Sequence, residues 1–246
     1  LDCPQAIVVT DLDLHALWLC RRYEHYFVAL DETKYYLETL GFSTDKISVT
    51  GIPIDPLFIE KKDKRAMREK YNLELDLPTV ILSAGGFGVG RIEILLKSLQ
   101  TIKQPVQILA MCGRNEELKN KLAQTPPTNE NCRIVPVGYT TAMDEYMSAS
   151  DLVVGKPGGL TMCEALAKGL IFVVVNPIPG QEERNSDHLL ENGAAIRCNN
   201  LTTLGYKIEQ LLRDESRMNA MRANALKFAR PKAAFAITDK LLELDG

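Results

Sequence analysis

The 246-residue sequence predicts an α/β protein with a doubly wound parallel sheet, and two observations carry that prediction. Short apolar, β-branched runs recur along the chain and lack polar alternation, as expected of strands covered on both faces. Amphipathic runs of helix length lie between them, and alternation of this kind builds parallel sheets.

The strand runs are Ala6–Thr10, Tyr26–Leu30, Ile47–Thr50, Thr79–Ser83, Val106–Met111, Arg133–Val135, Leu152–Val154, Ile171–Val175 and Ala195–Cys198. Helices are predicted at Asp31–Leu40, Arg91–Ile102, Asn115–Ala123, Ala142–Ser148, Leu160–Lys168, Ser186–Glu191, Thr202–Arg213, Glu215–Ala229 and Lys232–Leu244. Gly51-Ile-Pro-Ile-Asp-Pro-Leu-Phe58 contains two prolines and breaks regular structure, which places a boundary there. The predicted organisation has four parts. Residues 1–50 are the closing part of one α/β domain, 51–78 a linker, 79–230 a complete nucleotide-binding-type domain, and 231–246 a C-terminal helix. The charged stretch Glu60–Arg65 reads as a solvated helix start. The sequence opens on Leu1 with a strand-like run close behind, so further residues are expected before it.

Composition narrows the function. The chain is 46% hydrophobic and 25% charged, ordinary for a globular protein. A net charge of −3 provides no basic field for nucleic acid. Six scattered cysteines without a CxxC pair fit reduced thiols in a cytosolic protein. No run reaches the roughly 18 apolar residues of a membrane span, and no signal peptide is evident.

Five segments carry chemistry. Ser83-Ala-Gly-Gly-Phe-Gly-Val-Gly-Arg91 joins a strand to a helix, and its glycines allow the backbone to approach an anion. Arg91-Ile92 replaces the Lys-Ser/Thr of a P-loop. In Met111-Cys-Gly-Arg-Asn115, Gly113 leaves room for a ligand over a strand end. In Val137-Gly-Tyr139, the aromatic after Gly138 can cover a flat base. In Pro157-Gly-Gly-Leu-Thr161, the amides of Gly158, Gly159, Leu160 and Thr161 open a helix and can hold a phosphate. Glu164, one turn further, suits two vicinal ribose hydroxyls, while its plain structural reading is a pair with Lys168. In the loop Pro179-Gly-Gln-Glu-Glu-Arg-Asn185, Gln181, Glu182 and Asn185 can address sugar hydroxyls.

Together these segments resemble the donor half of the family 28 GT-B glycosyltransferases. The nearer likeness is to the diacylglycerol glycosyltransferase and monogalactosyldiacylglycerol synthase branch. Gly51–Phe58, Cys112-Gly-Arg-Asn115, Lys156–Thr161, Pro179-Gly-Gln-Glu182 and Val9-Thr-Asp11…His15…Trp18 carry it in order and spacing. The resemblance implies a Rossmann-like donor domain and part of a second, with UDP-sugar as donor and no cofactor or metal. Gly86, Gly88 and Arg91 would lie near the diphosphate, Gly138 and Tyr139 at the uracil, Gly158–Thr161 at phosphate and Glu164 at ribose. Gln181, Glu182 and Asn185 would address the transferred sugar. The acceptor would be a diacylglycerol-like lipid on the inner face of a membrane, approached by a cytoplasmic, peripheral protein.

Two departures stand out. The family's N-terminal glycine-rich loop with its histidine is not in this sequence, so Asp11 and His15 are the nearest candidates for a catalytic base. Arg184 stands where relatives often carry a small residue. Asp11-Leu-Asp13 spells the DxD of metal-dependent transferases, but everything downstream favours the metal-independent class. Alternatives are a peptidoglycan-type UDP-GlcNAc transferase, a nucleotide-sugar-binding fragment without activity, and a nucleotide-sugar epimerase.

Overall fold

The computed structural model describes residues 5–83 and 92–244. Two parallel sheets organise the chain. The first has strands β1 (Ala6–Val8), β2 (His25–Val28) and β3 (Ile47–Val49) in the order β1-β2-β3, with helix α1 (Asp31–Thr39) between the second and third. The second has β4 (Thr79–Ser83), β5 (Val106–Gly113), β6 (Cys132–Gly138), β7 (Leu152–Gly155), β8 (Ile171–Val175) and β9 (Ala195–Cys198). Its order is β6-β5-β4-β7-β8-β9. The chain first winds outward from β4 and then returns to wind the other way from β7. The switch point therefore lies between β4 and β7, where open parallel sheets take ligands beyond their C-terminal strand ends.

The helices of the second unit are α2 (Lys64–Lys70), α3 (Ile92–Leu99), α4 (Glu116–Gln124), α5 (Met143–Ser148), α6 (Gly159–Ala167), α7 (Gln181–Glu191), α8 (Leu204–Arg213) and α9 (Glu215–Phe228). They cover both faces of its sheet. Val80 and Leu82 of β4 point into one core with α3 and α8, through Leu95, Leu99 and Ile208. Ile81 points the other way, into a core with α6 and α7 through Met162, Leu166 and Leu189. Both alternating sets of a strand are thus buried, which explains the continuous apolar runs of the sequence.

The second of these cores extends out of the six-stranded unit. Leu12 and Ala29 of the first unit, with Ile52 and Ile54 of the connection, belong to it. The first unit keeps a smaller core of its own around Tyr26, Val28, Leu37 and Ile47. The last helix, α10 (Ala233–Leu244), starts where Ala233 packs over Gly51, and Lys240 lies near enough to His25 to help lower its pKa after burial.

Two stretches differ from expectation. The linker carries a regular helix, α2, capped by Asp63, whose carboxylate accepts the Ala66 N–H at 2.8 Å. Its docking explains why it forms: Arg68 donates to the Ala149 carbonyl at 2.9 Å and pairs with Asp151 at 2.8 Å. The polar segment after Gly180, expected as a loop to Asn185, is helical from Gln181. Gly180 adopts a φ of 95° and supplies the turn, and the carboxylates of Glu182 and Glu183 reach back to accept the Ile178 and Gly180 N–H groups just ahead of the helix.

Candidate functional site

The expected donor segments after β5, β6, β7 and β8 all follow C-terminal strand ends, and a parallel sheet places those ends on one side. Gly86, Gly88 and Arg91, expected beside a diphosphate, lie outside the described residues.

The turn from β7 into α6 sits at the switch point. Gly158 is the N-cap, with extended backbone and no side-chain cap, and the first helical hydrogen bond runs from the Met162 N–H to its carbonyl at 2.9 Å. The amides of Gly159, Leu160 and Thr161 precede that bond, so the helix itself leaves them unpaired. Their dipoles point outward from a helix N-terminus, which favours an anion. Thr161 is the third residue within the helix and not its cap.

Glu164 follows one turn later and is half-buried. Its pKa is raised to about 6, by burial first and by the charge of Asp55 second. The alternative partner, Lys168, is engaged elsewhere: its ammonium donates to the Glu60 carbonyl at 2.7 Å. Among the described residues no cation pairs with Glu164, and a partly desolvated carboxylate without such a pair retains its capacity to accept hydroxyl protons.

At the ends of β5 and β6, Gly113 and Gly138 stand opposite each other in register. Gly113 has a φ of 55°, which turns the chain sharply away from the sheet. Tyr139 is 63% exposed, and the Arg114 guanidinium lies 5.0 Å from its ring centroid. The pair forms an exposed flat surface, with the geometry of a cation–π contact. Arg114 was not singled out from the sequence, although it stands within the quoted Cys112–Asn115 segment.

Gln181 is exposed at the start of α7. Glu182 turns back to accept the Ile178 N–H at 2.6 Å, so part of its carboxylate serves the turn. Asn185 corrects the expectation of a sugar contact. Its side chain is fully buried and bonded to protein on both ends of the amide. Its Oδ1 accepts the Leu12 N–H at 2.8 Å, and its Nδ2 donates to Asp11 Oδ1 at 3.1 Å and to the Pro157 carbonyl at 3.1 Å. The next residue back, Arg184, pairs with Asp13 at 3.0 Å. Sequence reading had no local signal for these contacts, because the partners lie far away in the chain.

The two candidate bases are therefore engaged in structure. Asp11 gives one carboxylate oxygen to Asn185. His15 Nδ1 accepts the Leu17 N–H at 3.2 Å and so caps the single helical turn at Ala16–Trp18. The Asp11-Leu-Asp13 tripeptide is tied to α7 by Asn185 and Arg184. Among the described residues, no group of three or more His, Cys, Asp or Glu side chains is placed to hold a metal ion.

A doubly wound sheet, with an open helix N-terminus at its switch point and a carboxylate one turn inside that pairs with no cation among the described residues, has the layout of an α/β protein of GT-B architecture. Solved structures share that architecture. Acinetobacter baumannii MurG superposes with a TM-score of 0.68 at 21% identity, covering 98% of this chain and 67% of that one. HepE from Anabaena, in complex with UDP-glucose, superposes with a TM-score of 0.62 at 16% identity, covering 98% and 72%. The chain belongs to the group 1 glycosyl transferases, whose family model matches residues 63–228. The monogalactosyldiacylglycerol synthase model matches residues 2–54. Among relatives, a processive diacylglycerol beta-glucosyltransferase of Bacillus licheniformis is 35% identical over 222 residues, 90% of this chain and 57% of the relative. One of the same description from Bacillus pumilus is 31% identical, covering 98% of this chain and 62% of the relative. The chain thus spans about three fifths of the length of these relatives.

Proposed function

We propose that this chain is the donor-binding part, with a portion of the acceptor side, of a glycosyltransferase that moves a hexose from a UDP-sugar to a diacylglycerol-like lipid. The observation that carries the reading is Glu164, which pairs with no cation among the described residues and lies one turn inside a helix whose first amides are open. The amides of Gly159–Thr161 would take a phosphate and Glu164 the ribose hydroxyls. Tyr139 and Arg114 would border the base, with open space over Gly113 beneath it. Gln181 would lie toward the sugar. Fixed amides and a helix dipole stabilise charge developing on the diphosphate leaving group, so the reading needs no metal and no cofactor. Binding energy on UDP would hold the anomeric carbon for attack by the acceptor hydroxyl.

The names of the relatives supply the acceptor class and make glucose the first sugar to test. A surface feature supports approach to a membrane. Leu17 is 85% exposed and Leu19 is exposed beside it, with Arg21 and Arg22 exposed next to them. Apolar side chains flanked by cations suit an anionic lipid surface. Among the described residues, no helix is long and apolar enough to cross a membrane. Peripheral association on the cytoplasmic side is the corresponding proposal.

The test uses the full-length protein. Calorimetry with UDP should show binding, and incubation with diacylglycerol vesicles and UDP-glucose, UDP-galactose or UDP-GlcNAc should yield a glycolipid from one of them. UDP binding without transfer would reduce the reading to a nucleotide-sugar-binding protein. Conversion of UDP-GlcNAc without lipid would replace it with an epimerase.

A further inference from the structure

Leu12 and Asn185 are 173 positions apart, yet one buried amide joins the segments that flank the candidate site. Asn185 is fully buried on α7. It holds the Pro157 carbonyl, directly before the open amides of α6, at 3.1 Å. It holds the Leu12 N–H at 2.8 Å and the Asp11 carboxylate at 3.1 Å on the other side. The same loop is seated from two further directions. Thr33 of α1 donates to the Leu12 carbonyl at 2.6 Å. The Thr10 carbonyl lies where a Cβ on Gly159 would be, so the loop rests directly on the first turn of α6. Buried polar groups of this kind are costly to leave unpaired, so the three bonds act as one unit.

We infer that Asn185 is a positioning residue for sugar transfer, one that couples the phosphate-facing turn Pro157–Gly159 to the acceptor-side loop Thr10–Leu14. It touches neither donor nor acceptor. It fixes Asp11 and Leu12 relative to the turn, so that occupation of the α6 amides is felt across the crevice. The inference rests on the UDP-donor reading.

Hydrogen exchange on the full-length protein separates the two. With wild-type protein, UDP should slow amide exchange at residues 157–164 and also at 10–14. Asn185→Ala should keep the first effect and lose the second. Melting curves on both variants check that each is folded before exchange is compared, and Asn185→Asp is isosteric. Its carboxylate still accepts from Leu12 but faces the Asp11 carboxylate and the Pro157 carbonyl without a proton to donate. It should lose the coupling too. In both variants kcat with UDP-glucose and diacylglycerol should fall by about tenfold, while KM for the donor changes by less than about threefold. Retained protection at 10–14 in the variants, or a loss confined to donor affinity, would overturn the coupling role. Absence of any UDP effect in the wild-type protein would overturn the donor reading, and this inference with it.

Discussion

Glu164 and Lys168 stand one helical turn apart on α6 and do not pair, because Lys168 reaches the Glu60 carbonyl at 2.7 Å. The carboxylate left behind has a pKa raised to about 6 by burial and by Asp55. Glu164→Ala is expected to weaken UDP binding by about 1–3 kcal/mol, the range for a lost hydrogen-bond partner of a buried polar group. The ionised form is the one that accepts both ribose hydroxyls, so UDP affinity should fall as pH drops through about 6, and Glu164→Gln should flatten that dependence. The sign for stability is opposite. The folded state holds this proton more tightly than the unfolded state, so the ligand-free protein gains stability as pH falls toward about 5. Titration calorimetry and melting curves between about pH 5 and 8 check both; a pH-independent UDP affinity would return Glu164 to a structural role.

Gly158 and Gly159 are neighbours with different reasons for being glycine. A Cβ on Gly158 meets nothing within 4 Å, whereas one on Gly159 overlaps the Thr10 carbonyl. Gly158→Ala should therefore leave stability within about 1 kcal/mol of wild type, a small loss at the N-cap being offset by reduced freedom of the unfolded chain. Its UDP affinity should drop by about tenfold, or ~1.4 kcal/mol, if a phosphate approaches that backbone. Gly159→Ala should cost about 1–3 kcal/mol of stability through overpacking at the loop contact. Thermal melts and UDP calorimetry on the two variants distinguish a ligand effect from a packing effect. Equal losses of stability would show that both glycines serve packing alone.

Tyr139 and Arg114 offer the converse test, since Tyr139 is 63% exposed and its removal disturbs no core. Tyr139→Ala should leave the melting temperature unchanged and weaken UDP by about 1–3 kcal/mol, the scale of base–aromatic stacking. Ribose phosphate, which lacks the base, should bind the variant and the wild type alike. A loss shared by both ligands would remove Tyr139 from the base site.

What could be read from the sequence follows from how local its causes are. Among the described residues the strands overlap the apolar runs that predicted them; the central ones are buried on both faces by their own side chains, as Val80, Ile81 and Leu82 show, while β1 and β6 are only partly buried. The switch-point turn was legible through Pro157–Gly159 for the same reason. Helix α2 was legible only at its charged start, since Arg68 forms its contacts with Ala149 and Asp151, far along the chain. Asn185 was assigned to a sugar because its neighbours are polar, and only the folded chain brings Leu12 and Asp11 to it. Gly159 suggested a phosphate contact, and the Thr10 carbonyl resting on it is equally invisible without tertiary structure.

Asp151 anchors the opposite end of the same sheet, and its loss should separate stability from donor binding. Its side chain is 12% exposed and pairs with Lys64 at 2.7 Å, Arg68 at 2.8 Å and Arg222 at 2.9 Å. It also accepts the Thr79 N–H at 2.9 Å, so it ties α2 and α9 to the starts of β4 and β7. Burial raises its pKa, but Lys64, the Thr79 amide and Arg68 together outweigh burial and the net shift is downward. A depressed carboxylate stabilises the fold above its unfolded pKa, and that contribution is lost as pH falls below about 4. Asp151→Asn leaves cations without their counter-charge and should cost about 3 kcal/mol, in the range for breaking a buried ion pair. Its melting temperature should fall at pH 7 and converge toward wild type in acid. UDP affinity of the folded variant should stay within about threefold of wild type, a change of ~0.7 kcal/mol, because the donor turns lie at the far ends of the strands. An unchanged melting temperature would show that the cations find other partners, and a lost UDP affinity would show that the two ends of the sheet are coupled.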